Sequence, residues 1–87
     1  MYKVELKPKA AKFVQAQIRK IQRQLISRLT GLAADPRPQN CKLLHSKEQL
    51  YRIDSGDYRI VYQIQDRKRL VIVAKIRHRK DVYRGLR

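Results

Sequence analysis

The first third of the chain changes from a two-residue to a three- and four-residue spacing of apolar positions. Tyr2, Val4 and Leu6 alternate with polar residues, which is the pattern of a half-buried strand. Pro8 suits the first turn of a helix, where its missing N–H is not needed. Apolar residues then recur at every third or fourth position between 10 and 32, which predicts a helical region with one buried face.

The helical region consists of either one long helix or two consecutive helices. No glycine or proline interrupts it before Gly31, so a hairpin near Arg19 and Lys20 is a guess. The region ends where Pro36 and Pro38 stand two residues apart, because such a pair cannot continue a helix.

The second half of the chain alternates again, which predicts a meander of three or four antiparallel strands over 41–45, 50–54, 58–65 and 69–77. Turn signals at 55–57 and 66–68 separate the longer strands. The parity predicted to face the core contains Tyr58, Ile60, Tyr62, Ile64, Leu70, Ile72, Ala74 and Ile76. The parity predicted to face outward contains Arg59, Val61, Gln63, Val71, Val73, Lys75 and Arg77. Tyr51 fits either face.

Together these elements predict an α+β fold in one domain spanning residues 1–87. An N-terminal strand precedes the helices, which pack on one face of the sheet formed with the meander. The segment 81–87 is long enough for a short helical turn only.

Composition narrows the function classes. The 87 residues include 22 Lys or Arg against 7 Asp or Glu, a formal net charge of +15. A small domain needs a net charge of only about 2–8 for solubility, so the excess favours a polyanionic partner. No apolar run approaches the roughly 18 residues of a membrane span, and the N-terminus has no signal-peptide core, so we expect a cytoplasmic protein.

Cysteine and histidine are too few for a metal or disulfide framework. Cys41 has no partner for an internal disulfide, and with His45 and His78 it does not make a zinc-ligand set. We therefore expect no metal and no other cofactor. For His45 the preferred interpretation is an ordinary surface residue.

The positive charge is concentrated toward the C-terminus, where nine of the 21 residues from 67 to 87 are Lys or Arg. Parity places Arg59, Lys75 and Arg77 on the face opposite the core, and Arg52 can join them from the preceding strand. A solvated face is the alternative interpretation, and the size of the charge excess favours a nucleic-acid surface instead.

One aromatic residue stands among these charges. Tyr83 lies between Lys80 and Arg84, where a ring suits stacking on an unpaired base. The alternative is that Tyr83 anchors the C-terminal segment onto the body of the protein.

Four sequence blocks occur in the order and spacing of one known family. They are Asp35-Pro36-Arg37-Pro38, Leu50-Tyr51-Arg52-Ile53, Gly56-Asp57-Tyr58-Arg59-Ile60-Val61-Tyr62 and Ile76-Arg77-His78-Arg79-Lys80-Asp81-Val82-Tyr83-Arg84. With the preceding strand and helices, the chain resembles RelE-type toxins of the RelE/ParE superfamily over nearly its whole length. The resemblance implies a toxin of a type II toxin–antitoxin pair that cuts mRNA on the ribosome.

The resemblance also implies roles for individual residues. Arg59 matches an arginine that contacts the scissile phosphate region, and Arg79, or else Arg77, matches one that stabilises charge there. Tyr83 matches a tyrosine that stacks on a base and helps to activate the 2′-hydroxyl, and Arg52 matches a further basic residue. The remaining basic residues of the last block are assigned to RNA binding: Lys75, Arg77, His78, Lys80 and Arg84.

Two positions depart from the family pattern. Asp54 stands where relatives commonly have a second basic residue, and Arg77 stands where many have glycine. The first departure weakens the assignment of a basic pair as the proton acceptor. Because arginine keeps its proton at neutral pH, Arg59 and Arg79 are interpreted as electrostatic clamps.

The resemblance implies two partners. One is an acidic RelB-like antitoxin whose amphipathic helix lies across the exposed sides of the helices and the C-terminal segment in a hetero-oligomer. The other is the ribosome with its mRNA. Two alternatives remain open: a ParE-like inhibitor of DNA gyrase that cuts no RNA, and a basic RNA-binding module without catalysis.

Overall fold

The computed structural model describes residues 1–80 and shows an α+β fold, as predicted. A five-stranded sheet has the strand order β1-β5-β4-β3-β2, in which β1 runs parallel to β5 and all other neighbours are antiparallel. The elements are β1 (Lys3–Leu6), α1 (Pro8–Gln15), α2 (Arg19–Ala34), β2 (Lys42–His45), β3 (Leu50–Ser55), β4 (Tyr58–Gln65), a 3-10 turn (Asp66–Lys68) and β5 (Leu70–His78). The helical turn predicted over 81–87 lies outside the described residues.

The helical region forms two helices, which decides between the two alternatives. The Gln22 side chain donates to the carbonyls of Val14 (3.1 Å) and Gln15 (3.2 Å), so polar groups left open at the end of α1 are satisfied without glycine or proline. Ile18, which fits the apolar stripe, is instead the N-cap of α2 and is 70% exposed.

Both helices pack on the same face of the sheet, which is its inner face. Ala10 and Val14 of α1 and Leu25 of α2 belong to one buried cluster with residues of β3, β4 and β5. Tyr62 is completely buried and donates a hydrogen bond to the Pro36 carbonyl at 2.8 Å. The remaining buried members of the cluster are Leu29, Leu32, Tyr51, Ile53, Ile60, Ile64, Val71, Val73 and Ile76.

The predicted parity of β5 is wrong for its first half. Val71 and Val73 are fully buried, whereas Leu70, Ile72 and Ala74 are only half-buried. The pairing with β4 shifts after Val73, where an extra residue produces a β-bulge. A bulge reverses the parity of everything beyond it, and the run 70–74 is apolar at every position, so alternation alone did not reveal the shift.

The loop after α2 is fastened to the sheet by Arg37. Its guanidinium donates to Asp66 at 2.8 Å, to Gln49 at 3.0 Å and to the Tyr51 hydroxyl at 3.0 Å. Hydrogen bonds from Arg37 and from the Tyr2 hydroxyl lower the pKa of Asp66 to about 2. These contacts join the loop, β1 and the turn before β5 at one end of the sheet.

A cationic face on the outer side of the sheet

Four basic side chains lie together on the outer face, opposite the helices. We call Arg52, Arg59, Lys75 and Arg77 the cationic face. Arg59 on β4 pairs in register with Arg77 on β5, and Val61 on β4 pairs with both Arg52 on β3 and Lys75 on β5. Neighbouring strands are about 4.8 Å apart, so the four basic residues occupy two adjacent rows within roughly 10 Å.

The positions of these side chains follow from the residues that alternate with them. Ile53, Ile60 and Ile76 point into the core, so their neighbours in sequence leave the opposite face. The Arg59 side chain is 21% exposed, whereas Lys75 and Arg77 are exposed. The structure thus brings Arg52, Arg59, Lys75 and Arg77 together on the face that parity predicted for them.

An acidic side chain adjoins the cationic face. Asp54 is the register partner of Arg59 on β3, and its Oδ1 accepts a hydrogen bond from Arg59 Nε at 3.2 Å. The Arg28 side chain on α2 also donates to the Asp54 main-chain carbonyl at 3.3 Å. Asp54 and Arg59 are partners because Ser55 pairs with Tyr58 across a two-residue turn, a register that the turn signal at 55–57 did not specify.

The residues after the cationic face lie at the end of β5. Arg79 donates its backbone N–H to the Asp57 carbonyl at 2.8 Å, which holds it beside the β3–β4 turn. Together with His78 and Lys80 these two residues line a cavity of about 420 Å³. Arg77, rather than Arg79, is therefore the arginine aligned with Arg59.

The two histidines do not come together. The ring of His78 packs edge-on against Tyr58 with centroids 5.2 Å apart, and its Nδ1 accepts a hydrogen bond from the Lys80 N–H at 3.2 Å. His45 is on β2, and β3 and β4 lie between β2 and β5 in the sheet.

Two of the predicted site residues, Tyr83 and Arg84, lie outside the described residues. Within residues 1–80, no three His, Cys, Asp or Glu side chains are grouped as metal ligands. No helix in this part of the chain is long and apolar enough to cross a membrane.

Solved structures of two toxins share the fold. RelE in the RelE–RelB complex from Pyrococcus horikoshii is 23% identical with a TM-score of 0.82, and the match covers 90% of this chain and 94% of that one. Isolated RelE from E. coli is also 23% identical, with a TM-score of 0.76 and complete coverage of both chains. The intact E. coli RelBE complex is 28% identical with a TM-score of 0.74, covering 87% of this chain and 94% of that one.

The sequence comparison places the chain in a family. No curated protein sequence matches it. A family model described as "ParE toxin of type II toxin-antitoxin system, parDE" matches residues 4–83, which is nearly the whole chain. The predicted resemblance is confirmed, and the chain belongs to the ParE toxin family of type II toxin–antitoxin systems, within the RelE/ParE superfamily.

Proposed function

We propose that the chain is a ribosome-dependent endoribonuclease that cuts mRNA at the A site through attack of a ribose 2′-hydroxyl on the adjacent phosphate. The observation that carries this proposal is the cationic face, where four basic side chains converge on the exposed side of a rigid sheet. Cutting the message inhibits translation, and this activity requires the protein to be in the cytoplasm with the ribosomes.

The chemistry needs positive charge around a pentavalent phosphate. A guanidinium offers several donors in a fixed plane and stays charged, so Arg59 and Arg77 suit two-point contact with phosphate oxygens. Arg79 extends the site from the end of β5, and Arg52 supports it from β3. In this proposal Tyr83 stacks on a base at the cut, and Lys75, His78, Lys80 and Arg84 bind the RNA backbone.

Primer extension on programmed ribosomes tests the proposal. Wild-type protein is expected to cut the message within the A-site codon in the presence of EDTA, leaving 2′,3′-cyclic phosphate and 5′-hydroxyl ends. Arg59→Ala or Arg77→Ala is expected to lower the single-turnover rate about 100-fold, because each removes a donor to the charged transition state. Arg23→Ala is the matched control, since it removes one exposed charge from α2. An uncut message with wild-type protein overturns the proposal.

The family model favours a second candidate function. The matched model describes ParE toxins, and the scaffold also resembles ParE-type gyrase poisons. Asp54 neutralises part of the charge of Arg59, which suits a protein that does not act on phosphate. Accumulation of gyrase-trapped DNA breaks, with intact mRNA, would establish this alternative.

We further propose an acidic antitoxin as the partner, in a hetero-oligomeric complex. Toxins of this family belong to toxin–antitoxin systems, and RelE from Pyrococcus horikoshii and from E. coli is bound to RelB in the structures compared above. A cavity of about 460 Å³ with mainly apolar walls lies between the two helices and β1, lined by Val4, Leu6, Val14, Ile26 and Leu29 among others. The net charge of +15 favours an acidic amphipathic helix as the ligand of this groove.

Co-purification with the product of an adjacent acidic reading frame tests the partner. Ile26→Glu places a carboxylate at an exposed position of the groove and is expected to weaken the complex at least tenfold. Leu43→Glu is the matched control, because Leu43 is equally exposed but lies on β2 at the far edge of the sheet. Equal affinity of both variants would place the antitoxin elsewhere.

A further inference from the structure

We propose that Asp54 is the proton acceptor that activates the 2′-hydroxyl. This inference rests on the proposed ribonuclease function. It assigns the proton acceptor, which the basic residues of the site do not supply. Asp54 lies in the same sheet row as Arg59 and Arg77, about 5 and 10 Å from their backbones. A phosphate held by the two arginines is therefore within reach of a base on β3.

The basic side chains of the cationic face are poor proton acceptors. Arginine keeps its proton at neutral pH, and an ordinary lysine, with a pKa of about 10.4, is an ammonium ion. An ionised carboxylate, in contrast, has no proton to donate and acts only as an acceptor. Asp54 is the sole carboxylate on the outer face of β3, β4 and β5 among the described residues.

The Asp54 carboxylate is both oriented and accessible. Arg59 Nε donates to Oδ1, and no group within residues 1–80 donates to Oδ2, which is left for a substrate hydroxyl. The side chain is 62% exposed, so a substrate hydroxyl can reach it from the outer face.

All the charged groups that face Asp54 from neighbouring elements are basic. They are Lys42 on β2, Arg52 on β3, Arg59 on β4, and Lys75 and Arg77 on β5, whereas Arg28 on α2 contacts only the main-chain carbonyl of Asp54. None of these groups changes its charge over the pH range of the assay. A fall in the cleavage rate at acidic pH is therefore not caused by their titration.

Asp54 takes the proton of the 2′-hydroxyl as the 2′-oxygen forms a bond to phosphorus. The bond from phosphorus to the 5′-oxygen breaks, and that oxygen takes a proton from water. The products are a 2′,3′-cyclic phosphate and a 5′-hydroxyl, after which the carboxyl returns its proton to solvent.

Single-turnover cleavage on programmed ribosomes, followed against pH, tests the inference. Asp54→Asn is expected to lower the rate at least 100-fold, because a positioned general base contributes about that much. Asp54→His is expected to retain cleavage, with the fall in rate on the acid side moved to near pH 6.5, the ordinary pKa of histidine. Glu5→Gln is the matched control, since it removes one carboxylate from the outer face of β1.

The outcomes separate this inference from the proposed function. If wild-type protein leaves the message uncut, both fail. If wild type cuts the message and Arg59→Ala is slow, but Asp54→Asn cuts as fast as wild type or faster, only the Asp54 assignment fails. Faster cleavage by Asp54→Asn would mean that Asp54 restrains Arg59. An unchanged acid limb in Asp54→His, or loss of that limb in Tyr83→Phe instead, also overturns the assignment.

Discussion

Arg59 and Arg77 are register partners on adjacent antiparallel strands, so two guanidinium groups leave the outer face of the sheet side by side. Like charges directly opposite each other destabilise a sheet. Asp54 forms an ion pair with Arg59, and no acidic partner of Arg77 occurs within residues 1–80. The cationic face therefore costs folding stability, which is expected of a surface that has been adapted to bind a polyanion.

The first prediction concerns this cost. Arg77→Gln is expected to raise the free energy of unfolding by about 0.5 kcal/mol, because it removes the repulsion between Arg59 and Arg77 while keeping a polar side chain on the outer face. The same change is expected to abolish most cleavage activity. Urea denaturation in low and high salt measures the effect, and the gain should shrink in high salt as the repulsion is screened.

A charge removed elsewhere provides the comparison. Arg23 is exposed on α2, and Arg23→Gln is expected to change the free energy of unfolding less than Arg77→Gln does. Equal gains from both variants would mean that the general net charge, rather than the cross-strand pair, limits stability.

A second prediction concerns the Asp66 carboxylate at the other end of the sheet. Hydrogen bonds from Arg37 and Tyr2 lower its pKa in the folded protein from the usual 3.8 to about 2. Because the folded state holds the ionised form more tightly, the stabilisation is complete above about pH 4 and is lost as the pH falls toward 2. Asp66→Asn is therefore expected to be less stable than wild type at pH 6, with a difference that narrows by pH 2.

Urea denaturation at a series of pH values measures this difference. Glu48→Gln, which removes an exposed carboxylate from the β2–β3 turn, is the control and should show no such narrowing. A constant difference between wild type and Asp66→Asn from pH 6 to pH 2 would contradict a role for the ionised carboxylate.

Local patterns predicted most of the fold. The three-to-four spacing predicted the helical region but left one or two helices open. The alternation over β4 placed Ile60 and Tyr62 in the core, because the opposite parity contains the polar residues Arg59 and Gln63. In β5 every position from 70 to 74 is apolar, so the alternation carried no information about which parity was buried. The bulge after Val73 depends on how β5 pairs with β4. The spacing of apolar residues within one strand does not predict such a pairing.

The candidate site was predictable to a similar degree. Parity brought Arg52, Arg59 and Arg77 to one face because these strands have a buried opposite face. The contacts of Arg37 with Asp66 were not predicted, since 29 residues separate the two in sequence and only the packed sheet brings them together. Asp54 was recognised as an unusual residue, but its pairing with Arg59 required the register of the hairpin.

A third prediction tests the parity of β5 directly. Ile76 is 3% exposed on the inner face, whereas Ile72 is half-buried on the outer face. Ile76→Ala is expected to cost about 3 kcal/mol of unfolding free energy, because it leaves a cavity in the core. Ile72→Ala is expected to cost about 1 kcal/mol, since it removes less buried surface. Similar losses from both would favour unbroken alternation along β5.

A fourth prediction uses the two glycines at defined places in the fold. Gly31 lies in the last turns of α2 with open space where a Cβ would stand, so Gly31→Ala is expected to stabilise the protein by about 0.5–1 kcal/mol through helix propensity. Gly56 in the β3–β4 turn has φ of +59°, and a Cβ there would lie 2.5 Å from Nε2 of Gln24. Gly56→Ala is expected to destabilise by about 1–2 kcal/mol, because alanine disfavours the left-handed conformation even if the Gln24 side chain moves away. Thermal and urea unfolding of the two variants should therefore shift in opposite directions, and a loss of stability in Gly31→Ala would show that the space beside α2 is filled.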